Sequence, residues 1–483
     1  MRQDKLDLII EGGWVIDGLG GPRVRADVGV ADGRIAALGD LSGYIADRRL
    51  DAAGRIVAPG FIDVHGHDDL MFVEKPDLAW KTSQGITSVV VGNCGISGAP
   101  APLPGNHAAA LALLGESPLY ADMDAYFATL QAQRPMINVA ALVGHANLRL
   151  AAMRDPSAQP TADEQRAMER MLDASLAAGA VGFSTGLAYQ PGGMARAAEL
   201  EGLARVAAAR GALHTSHIRN EGDTVEESVD EVLSIGRQSG CATVLSHHKC
   251  MMPRNWGKSR ATLANIDRAR AEGVDVALDI YPYPGSSTIL IPERAEQIDD
   301  IRVTWSTPHP ECAGRYLADI AADWGCDRTE AARRLCPAGA IYFAMDENEV
   351  RRIFQHDCCM VGSDGLPNDA HPHPRLWGSF TRVLGRYVRE AELLTLEAAV
   401  AKMSALPARV FGLAGRGRIA VGAWADIVVF DADTVADLAT WEAPTLPSAG
   451  VERVLVNGVQ VHPPLPDTPR PGQILRRSVA AQA

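Results

Sequence analysis

The sequence predicts an α/β protein whose main domain is a (β/α)8 barrel, the TIM-barrel fold. In the middle of the chain, eight short apolar runs alternate with alanine-rich helical stretches, which is the pattern of strand–helix units around a parallel sheet. Both ends of the chain instead show short strand patterns separated by glycine turns. Most of the eight runs also close with histidine, cysteine, tyrosine or aspartate, as expected where the carboxyl ends of barrel strands meet.

The eight runs are short and end in turn residues, so each is read as one strand of the barrel. Two stretches between them, 161–179 and 224–240, open with threonine and acidic residues and close at glycine, which is good chemistry for the two ends of a helix. The predicted strands lie within residues 60–67, 87–95, 138–146, 180–187, 213–219, 242–249, 274–283 and 358–365.

The two ends of the chain predict one small all-β domain. Residues 6–58 contain several short strand patterns, and the segments 417–433 and 451–462 repeat that style near the other end. Because the two termini of a domain often lie close together, we expect these fragments to pair with each other. The predicted domains are residues 1–58 with 412–483, and a catalytic barrel at 59–411 that carries an inserted subdomain at roughly 284–357 between its seventh and eighth strands.

Composition narrows the class of protein. The chain has 483 residues, is 47% hydrophobic and carries a net charge of −13, so a nucleic-acid partner is not expected. No run of about 18 apolar residues predicts a membrane span, and the first residues show no secretion signal. The eight cysteines have no regular spacing and do not suggest a disulfide framework. We therefore expect a cytoplasmic protein without a membrane partner, and the oligomeric state is left open.

The polar residues at the strand ends predict one shared site. They are far apart in sequence, yet the barrel brings the carboxyl ends of its strands to one face. A histidine pair spaced by two residues can direct both rings to the same side of a strand. The residues that close the runs are His65, His67, Cys94, His145, His217, His247, His248, Lys249, Tyr281, Tyr283 and Asp364.

Cys94 allows three interpretations from the residues alone. It lies just beyond an apolar run, in the turn "GNCG", where a thiol of the hydrophobic core is not expected. A catalytic nucleophile would need a base and an oxyanion hole. A metal ligand would need imidazole or carboxylate neighbours, and the histidines at other strand ends supply them. The ligand interpretation is favoured. By contrast, His248 is expected to point away from the site and His145 to be satisfied within the core.

The chain resembles a known family in several motifs. "APGFIDVHGHDD" after a β-rich beginning is similar to the first-strand signature of the amidohydrolase superfamily. Further motifs resemble the N-acyl-D-amino-acid deacylases, or D-aminoacylases, and two of them most resemble the branch that acts on N-acyl-D-glutamate. The narrowing motifs are "GNCGIS", "SHIRNEGDT", "LSHHKCM", "PAGAIYFAMDE" and "VGSDGLPNDAHPHPRLWGSF", and those of the branch are "HGHDDLMFVEKPD" and "YPYPGSSTILIPERAE".

The resemblance implies a zinc-dependent hydrolase with a (β/α)8 barrel and a small β-sandwich built from both chain ends. No lysine at a matching strand end is found that would bridge two metals, as happens in most of the superfamily. The resemblance assigns one tightly bound Zn²⁺ to Cys94, His217 and His247. It assigns a second, weaker metal position to His65 and His67, and leaves open whether that position is filled.

The resemblance also implies the remaining site residues. Asp364 would be the general base and then the general acid in amide hydrolysis. Residues that would bind the carboxylates of a small N-acyl-D-amino acid are Lys249, Tyr281, Ser287, Arg294 and Arg375. Arg294 is the candidate for a second anion contact suited to a D-glutamyl side chain, although relatives with neutral substrates also keep an arginine there.

Four functions therefore remain open from the sequence. The favoured one is hydrolysis of N-acyl-D-glutamate to a carboxylate and free D-glutamate. The second is a D-aminoacylase for neutral side chains, and the third is ring opening of a cyclic amide, which the absent bridging lysine disfavours. The fourth, a non-catalytic binding barrel, is disfavoured by the complete set of ligand residues.

Overall fold

The computed structural model describes residues 5–477. Strand residues fall into three groups along this range: five strands at the beginning, eleven in the middle and three near the end. Within the described range the strands are β1 (Leu6–Val15), β2 (Val24–Ala31), β3 (Arg34–Gly39), β4 (Ala46–Asp51), β5 (Ile56–Pro59), β6 (Phe61–Asp63), β7 (Ile86–Val91), β8 (Asn138–Gly144), β9 (Gly182–Gly186), β10 (Leu213–His217), β11 (Ala242–Leu245), β12 (Val276–Ile280), β13 (Ser286–Ile289), β14 (Ile301–Ser306), β15 (Ala338–Tyr342), β16 (Cys359–Val361), β17 (Ile427–Phe430), β18 (Val451–Val456) and β19 (Val459–His462).

The helices lie almost entirely in the middle of the chain. None of those between residues 5 and 477 has the length and apolar character needed to cross a membrane. The α-helices are α1 (Met71–Glu74), α2 (Ala79–Thr82), α3 (Met123–Gln133), α4 (His145–Ala152), α5 (Ala162–Ala178), α6 (Ala197–Ala209), α7 (Val225–Ser239), α8 (Ser259–Ala271), α9 (Leu317–Trp324), α10 (Arg328–Leu335), α11 (Glu347–Gln355), α12 (Arg375–Arg382), α13 (Leu396–Met403) and α14 (Ala405–Phe411).

Eight parallel strands form the predicted barrel. Their spatial order, β6-β7-β8-β9-β10-β11-β12-β16, follows the order of the chain. Neighbouring strands pair in parallel throughout, for example Ser216 of β10 with Leu245 of β11. A parallel bridge between Gly66 and Gly365, just beyond β6 and β16, joins the first strand end to the last. The prediction of a (β/α)8 barrel is confirmed.

Two barrel helices show how local sequence sets their ends. Helix α5 begins after Thr161, whose side chain accepts a hydrogen bond from the Glu164 backbone while the Glu164 side chain bonds back to Thr161, forming a capping box. Helix α7 ends at Gly240, which has the left-handed conformation with φ +70°. Thr224 precedes α7 without a capping hydrogen bond from its side chain. The predicted positions of both helices are confirmed.

Strands from both chain ends form one further sheet, as predicted. It contains β1–β5 together with β17–β19, and β5 pairs with both β1 and β17. Strand β1 pairs with three partners, so the sheet branches and encloses its own apolar core. This core includes Ile10, Val30, Ile427 and Leu455. The predicted β-sandwich from the two termini is confirmed, while its limits at 58 and 412 stay predictions.

The inserted subdomain follows the seventh barrel strand, as predicted. Strands β13, β14 and β15 form an antiparallel sheet in the order β13-β15-β14, and α9 and α10 follow β14. Helix α11 lies inside the predicted range 284–357 but packs against α8, β12 and β16 of the barrel. The residue limits of the insertion stay a prediction, and the packing of α11 favours an insertion that ends before residue 347.

A buried polar network connects the amino end of the barrel to the terminal sheet. Asn138, at the start of β8, donates to the Asp426 carboxylate at 3.2 Å. Asn457 donates from its side chain to Asn138 Oδ1 and from its backbone to Asp426 Oδ1, both at 2.8 Å. Arg416 pairs with Asp426 and donates to Asn457 Oδ1 at 2.9 Å. Both members of the Arg416–Asp426 pair are 3% exposed, so each depends on the other for charge compensation.

We predict that Arg416→Met strongly destabilises the fold. The change leaves the Asp426 carboxylate buried without its cation, which costs roughly 3–5 kcal/mol of unfolding free energy. The measurement is urea denaturation followed by circular dichroism. Arg210→Met is the matched control, because Arg210 pairs with Asp173 at the exposed surface and should cost much less. Equal losses in the two variants would contradict the prediction.

Candidate active site

The predicted site residues meet at the carboxyl face of the barrel. His217 is the last residue of β10, and Cys94, His247 and Asp364 lie just beyond β7, β11 and β16. His65 follows the end of β6, so it lies in a loop and not on the strand itself. All five are buried. The barrel therefore brings together residues that the sequence separates by up to about 300 positions, as its geometry requires.

Three of these residues have an uncommon backbone conformation. Cys94, His247 and Asp364 adopt positive φ values of 54°, 35° and 48°. Residues other than glycine rarely occupy this region, and strain of this kind costs on the order of 1–3 kcal/mol. The left-handed turns direct the side chains inward immediately after their strands. Gly92 and Gly95, on either side of Cys94, have φ values of +80° and +78°.

Cys94 lies at the centre of a cluster of imidazole rings. Its Sγ is 3.3 Å from His65 Nε2 and 3.3 Å from His247 Nε2. The potential ligand atoms of His65, Cys94, His247 and Asp364 all lie within 4.8 Å of one another. The His217 ring is 4.3 Å from the His247 ring, measured between centroids. The arrangement brings one thiol and several imidazoles within reach of a single ion.

The ionisation state of Cys94 suits metal binding. Burial acts to raise the pKa of its thiol, but His65 and His247 outweigh it and hold the pKa well below its usual value, which favours the thiolate. Neither ring nitrogen of His217 has a hydrogen-bond partner within residues 5–477. A Glu221 oxygen lies 3.8 Å from His217 Nε2, which is too far for a hydrogen bond. A thiolate beside imidazoles with free nitrogens is a donor set that fits zinc.

Asp364 is held as a carboxylate. Burial acts to raise its pKa, but Arg375 and the surrounding histidines hold that pKa well below the usual range. Arg375 Nη1 lies 2.8 Å from Asp364 Oδ2, and His67 Nε2 lies 3.2 Å from Oδ1. Each oxygen of Asp364 therefore has its own partner. The carboxylate faces the Cys94 cluster while remaining fixed from behind.

The predicted substrate-binding residues fall into two groups. Lys249, Ser287 and Arg294 line the cavity that contains Cys94 and Asp364. Tyr281 and Arg375 are fully buried and lie behind Asp364, with the Arg375 guanidinium 4.4 Å from the centroid of the Tyr281 ring. Arg375 also donates to the backbone oxygen of Ser287 at 3.0 Å, which connects the two groups.

The cations of the cavity differ in their pairing. Lys249 Nζ lies 2.5 Å from Glu221 Oε1 and 2.8 Å from His247 Nδ1. Arg294 forms no salt bridge with any residue of the described range and has its guanidinium 5.1 Å from the Tyr342 ring centroid. The hydroxyl of Ser287 is buried and has no hydrogen-bond partner in that range. Arg294 and Ser287 are therefore available to bind a ligand.

Comparison with models of protein families identifies the family of this chain. A model described as the amidohydrolase family matches residues 48–213 and 328–462. The chain belongs to the amidohydrolase family. This confirms the resemblance drawn from the first-strand motif around His65 and His67.

Within this family, the chain is most similar in sequence to N-acyl-D-amino-acid deacylases among the relatives described below. It is 84% identical over 478 residues to an N-acyl-D-glutamate deacylase of Alcaligenes xylosoxydans xylosoxydans, which covers 99% of this chain and 98% of the relative. The crystal structure of N-acyl-D-glutamate deacylase from Bordetella bronchiseptica, in complex with zinc and a phosphonate mimic of the tetrahedral intermediate, is 78% identical. It matches with a TM-score of 0.97 over 98% of this chain and 100% of the other.

A third relative concerns the metal centre. A D-aminoacylase structure that addresses one-metal activation and second-metal attenuation in its binuclear centre is 46% identical to this amidohydrolase. The match has a TM-score of 0.94 and covers 98% of this chain and 100% of the other. The match extends over the barrel and the terminal sheet alike.

Sequence reasoning missed two carboxylates beside the histidines of this amidohydrolase. Glu221 Oε1 lies 3.1 Å from His247 Nδ1, and Asp279 Oδ1 lies 3.3 Å from His65 Nδ1. Asp279 also accepts a hydrogen bond from the His247 backbone at 3.0 Å. Both carboxylates orient imidazoles from the side opposite Cys94, as carboxylates commonly do behind metal-binding histidines. The available signal for Asp279 was an acidic residue inside a buried strand.

A buried lysine behind the first strand was missed as well. Lys81 is fully buried, and its Nζ lies 2.6 Å from Asp63 Oδ2 and 2.9 Å from Asp68 Oδ2. It also donates to the Ser363 hydroxyl at 3.1 Å. Since Asp63 precedes His65 and Ser363 precedes Asp364, Lys81 ties together the chain segments that carry two of the site residues.

Two further histidines that close predicted strands, His145 and His248, have structural partners. His145 Nε2 lies 2.8 Å from Glu199 Oε1, and Glu199 is also paired with the buried Arg149. His248 Nε2 lies 2.8 Å from the Thr262 hydroxyl, on the opposite side from His247. Both contacts agree with the structural roles expected for these histidines.

We predict that Gly186→Ala disturbs the Cys94 turn of this amidohydrolase. A Cβ at Gly186 would lie 2.0 Å from the Cys94 carbonyl oxygen, so the turn must move, and overpacking of this kind costs roughly 1–3 kcal/mol. Urea denaturation and catalytic rate should both show the loss. Gly193→Ala is the control in the neighbouring loop, where the closest atom to a Cβ is 3.1 Å away. Two variants of equal stability and rate would contradict the prediction.

Proposed function

We propose that this amidohydrolase hydrolyses the amide bond of N-acyl-D-amino acids, with N-acyl-D-glutamate as the preferred substrate, to a carboxylate and the free D-amino acid. The observation that carries the proposal is the meeting of the Cys94 thiolate, several imidazoles and the Asp364 carboxylate in one cavity. The identity of 84% to an N-acyl-D-glutamate deacylase supports the choice of substrate.

Cys94, His217 and His247 would hold one tightly bound zinc ion. Three protein ligands leave one position open, which is the arrangement of catalytic zinc sites. His65 and His67 would form a second, weaker metal position, and His65 Nε2 lies 3.3 Å from Cys94 Sγ. Zinc in such a site polarises a carbonyl and lowers the pKa of water. The zinc-containing structure at 78% identity supports this assignment.

Asp364 would move the proton. As a carboxylate it accepts a proton from the attacking water, and it then delivers that proton to the leaving nitrogen of the amide. The Arg375 guanidinium at 2.8 Å keeps Asp364 ionised before the reaction, and His67 fixes its other oxygen. A positioned acid and base of this type contributes roughly 10²–10⁴-fold to the rate.

The carboxylates of the substrate would divide between two groups of residues. Lys249 and Ser287, which line the cavity, would contact the α-carboxylate, and the buried Tyr281 and Arg375 would support them from behind Asp364, since Arg375 contacts the Tyr281 ring and the Ser287 backbone. Arg294 would bind the side-chain carboxylate of D-glutamate, because it lines the cavity without a salt bridge in the described range. Guanidinium groups suit such paired hydrogen bonds.

We also infer a cytoplasmic location. All eight cysteines are free in the structure, six of them buried, which is the state expected of a chain kept in a reducing compartment. The inference rests on this cysteine usage together with the composition of the sequence.

We predict that Cys94→Ala removes the tightly bound zinc and abolishes turnover. Without the thiolate, the site keeps imidazoles but loses the sulfur donor that lies 3.3 Å from His247 Nε2. Elemental analysis of the purified variant gives the zinc content. Cys241→Ala is the control, because Cys241 is also buried but its thiol has a pKa raised to about 12 by burial and lies away from the site. Unchanged zinc in the Cys94 variant would refute its role as a ligand.

We predict that N-acetyl-D-glutamate is hydrolysed faster than N-acetyl-L-glutamate and N-acetyl-D-leucine by the zinc-loaded enzyme. Arg294→Met should lower kcat/KM for the D-glutamate derivative relative to the D-leucine derivative by about tenfold or more, since a charge-assisted hydrogen bond contributes roughly 1.5–3 kcal/mol.

Two outcomes of this comparison would overturn parts of the proposal. Preference for N-acetyl-L-glutamate contradicts the stereochemistry, and preference for N-acetyl-D-leucine favours the D-aminoacylase for neutral side chains. Arg254→Met is the control for a loss of positive charge, because Arg254 pairs with Asp223 at the exposed surface.

A further inference from the structure

A second cleft adjoins the active-site cavity. It has a volume of about 960 Å³ and lies between residues 105–112, the turn 188–191 and the inserted sheet. From the insertion, residues 289–291 and 336–338 and the side chain of Trp305 line it. A cleft of this size is within the range of small-molecule sites, and none of the roles assigned above uses it.

Tyr189 connects the cleft to the cavity. It lines both spaces, and its hydroxyl lies 2.7 Å from the Thr288 hydroxyl of β13. Its ring also lies 4.8 Å from that of His217, measured between centroids. An opening at Tyr189 would therefore lead directly from the Cys94 cluster into the cleft.

One apolar cluster runs from the cavity to the cleft. Leu113 and Leu366 line the cavity, Ala110 and Ile289 line the cleft, and all four belong to the same cluster together with Tyr189. The two spaces thus share a continuous apolar wall. A flexible hydrocarbon chain that starts in the cavity can follow this apolar wall outward and leave water as it does so.

The charges of the two spaces differ. The cavity contains Glu221, Lys249, Arg294 and Asp364, whereas the described residues that line the cleft include no Asp, Glu, Lys or Arg. The apolar part of its lining includes Ala112, Ile291 and Trp305, and uncharged polar residues such as Asn106 and Gln190, together with His107, also line it. An N-acyl-D-amino acid has its carboxylates at one end and its acyl chain at the other. The carboxylate end matches the cavity and the acyl end matches the cleft.

We propose that the cleft binds the acyl chain of the substrate, and that straight aliphatic acyl groups longer than acetyl are preferred. The proposal rests on the proposed hydrolysis of N-acyl-D-glutamate. Each methylene of the chain that leaves water on entering the cleft raises kcat/KM by up to about fourfold. Tyr189 and residues of the short 3-10 helix Ala109–Leu114 form the walls that the chain passes.

The test compares N-acetyl-, N-butyryl-, N-hexanoyl- and N-octanoyl-D-glutamate as substrates of the zinc-loaded enzyme. We expect kcat/KM to rise with chain length in the unmodified protein. Ala112→Trp and Ala109→Trp each place a bulky ring in the cleft from an exposed position and should flatten this rise, with the octanoyl-to-acetyl ratio falling at least tenfold. Ala271→Trp, on the exposed surface of α8, is the control and should leave the ratio unchanged.

The outcomes separate this proposal from the one on which it rests. Absence of hydrolysis of every derivative would overturn the proposed function. Hydrolysis of N-acetyl-D-glutamate with no rise, or a fall, along the series would overturn the acyl cleft alone. A rise that both tryptophan variants leave intact would show that the chain binds elsewhere, and would equally reject the cleft.

Discussion

Closure of the barrel between its first and last strands is the constraint on which the site depends. The Asp364 backbone donates to the His65 carbonyl at 2.7 Å, and the Ser363 backbone donates to Asp63 Oδ1 at 2.8 Å. Lys81 compensates the charge of Asp63 at the same seam. Without this closure Asp364 would have no fixed position relative to the histidines that follow β6. The contact of 3.2 Å between His67 and Asp364 is a direct result of it.

The site concentrates buried charge, and two of its carboxylates are each compensated by a specific cation. Asp364 has Arg375, and Glu221 has Lys249. Desolvation of such groups is expensive, so a set of them in one place is weak evidence for stability and stronger evidence for function. The Cys94 thiolate follows the same rule, since the surrounding imidazoles stabilise its negative charge, as a bound cation also would. The arrangement is consistent with a barrel enzyme, since the active sites of TIM-barrel enzymes lie at this face.

How much of the structure the sequence predicts depends on whether a feature is set by a local residue pattern or by contacts between distant parts of the chain. The eight strands and the meeting of Cys94, His217 and His247 were predictable, because apolar runs mark strands and the barrel fixes where their ends go. The left-handed backbone of Cys94, His247 and Asp364 was not, since nothing in these residue types demands it. The pairing of Glu221 with Lys249 was also missed, because it depends on the path of two loops. The limits of the insertion stay a prediction, because the gap between two strand patterns does not show on which surface a helix such as α11 packs.

The two ends of the barrel differ in role: the amino end contributes to stability, and the carboxyl end carries the site residues. Asn138 begins β8 at the amino end, and there the network of Arg416, Asp426 and Asn457 fastens the terminal sheet to the barrel. At the carboxyl end, the chain instead accepts backbone strain at Cys94 and its counterparts, together with polar atoms of His217 that have no hydrogen-bond partner in the described range. Such costs persist only where the surrounding structure determines the conformation. A barrel anchored firmly at one end can therefore keep a strained, incompletely satisfied set of donors at the other, which is the condition a ligand or metal ion would relieve.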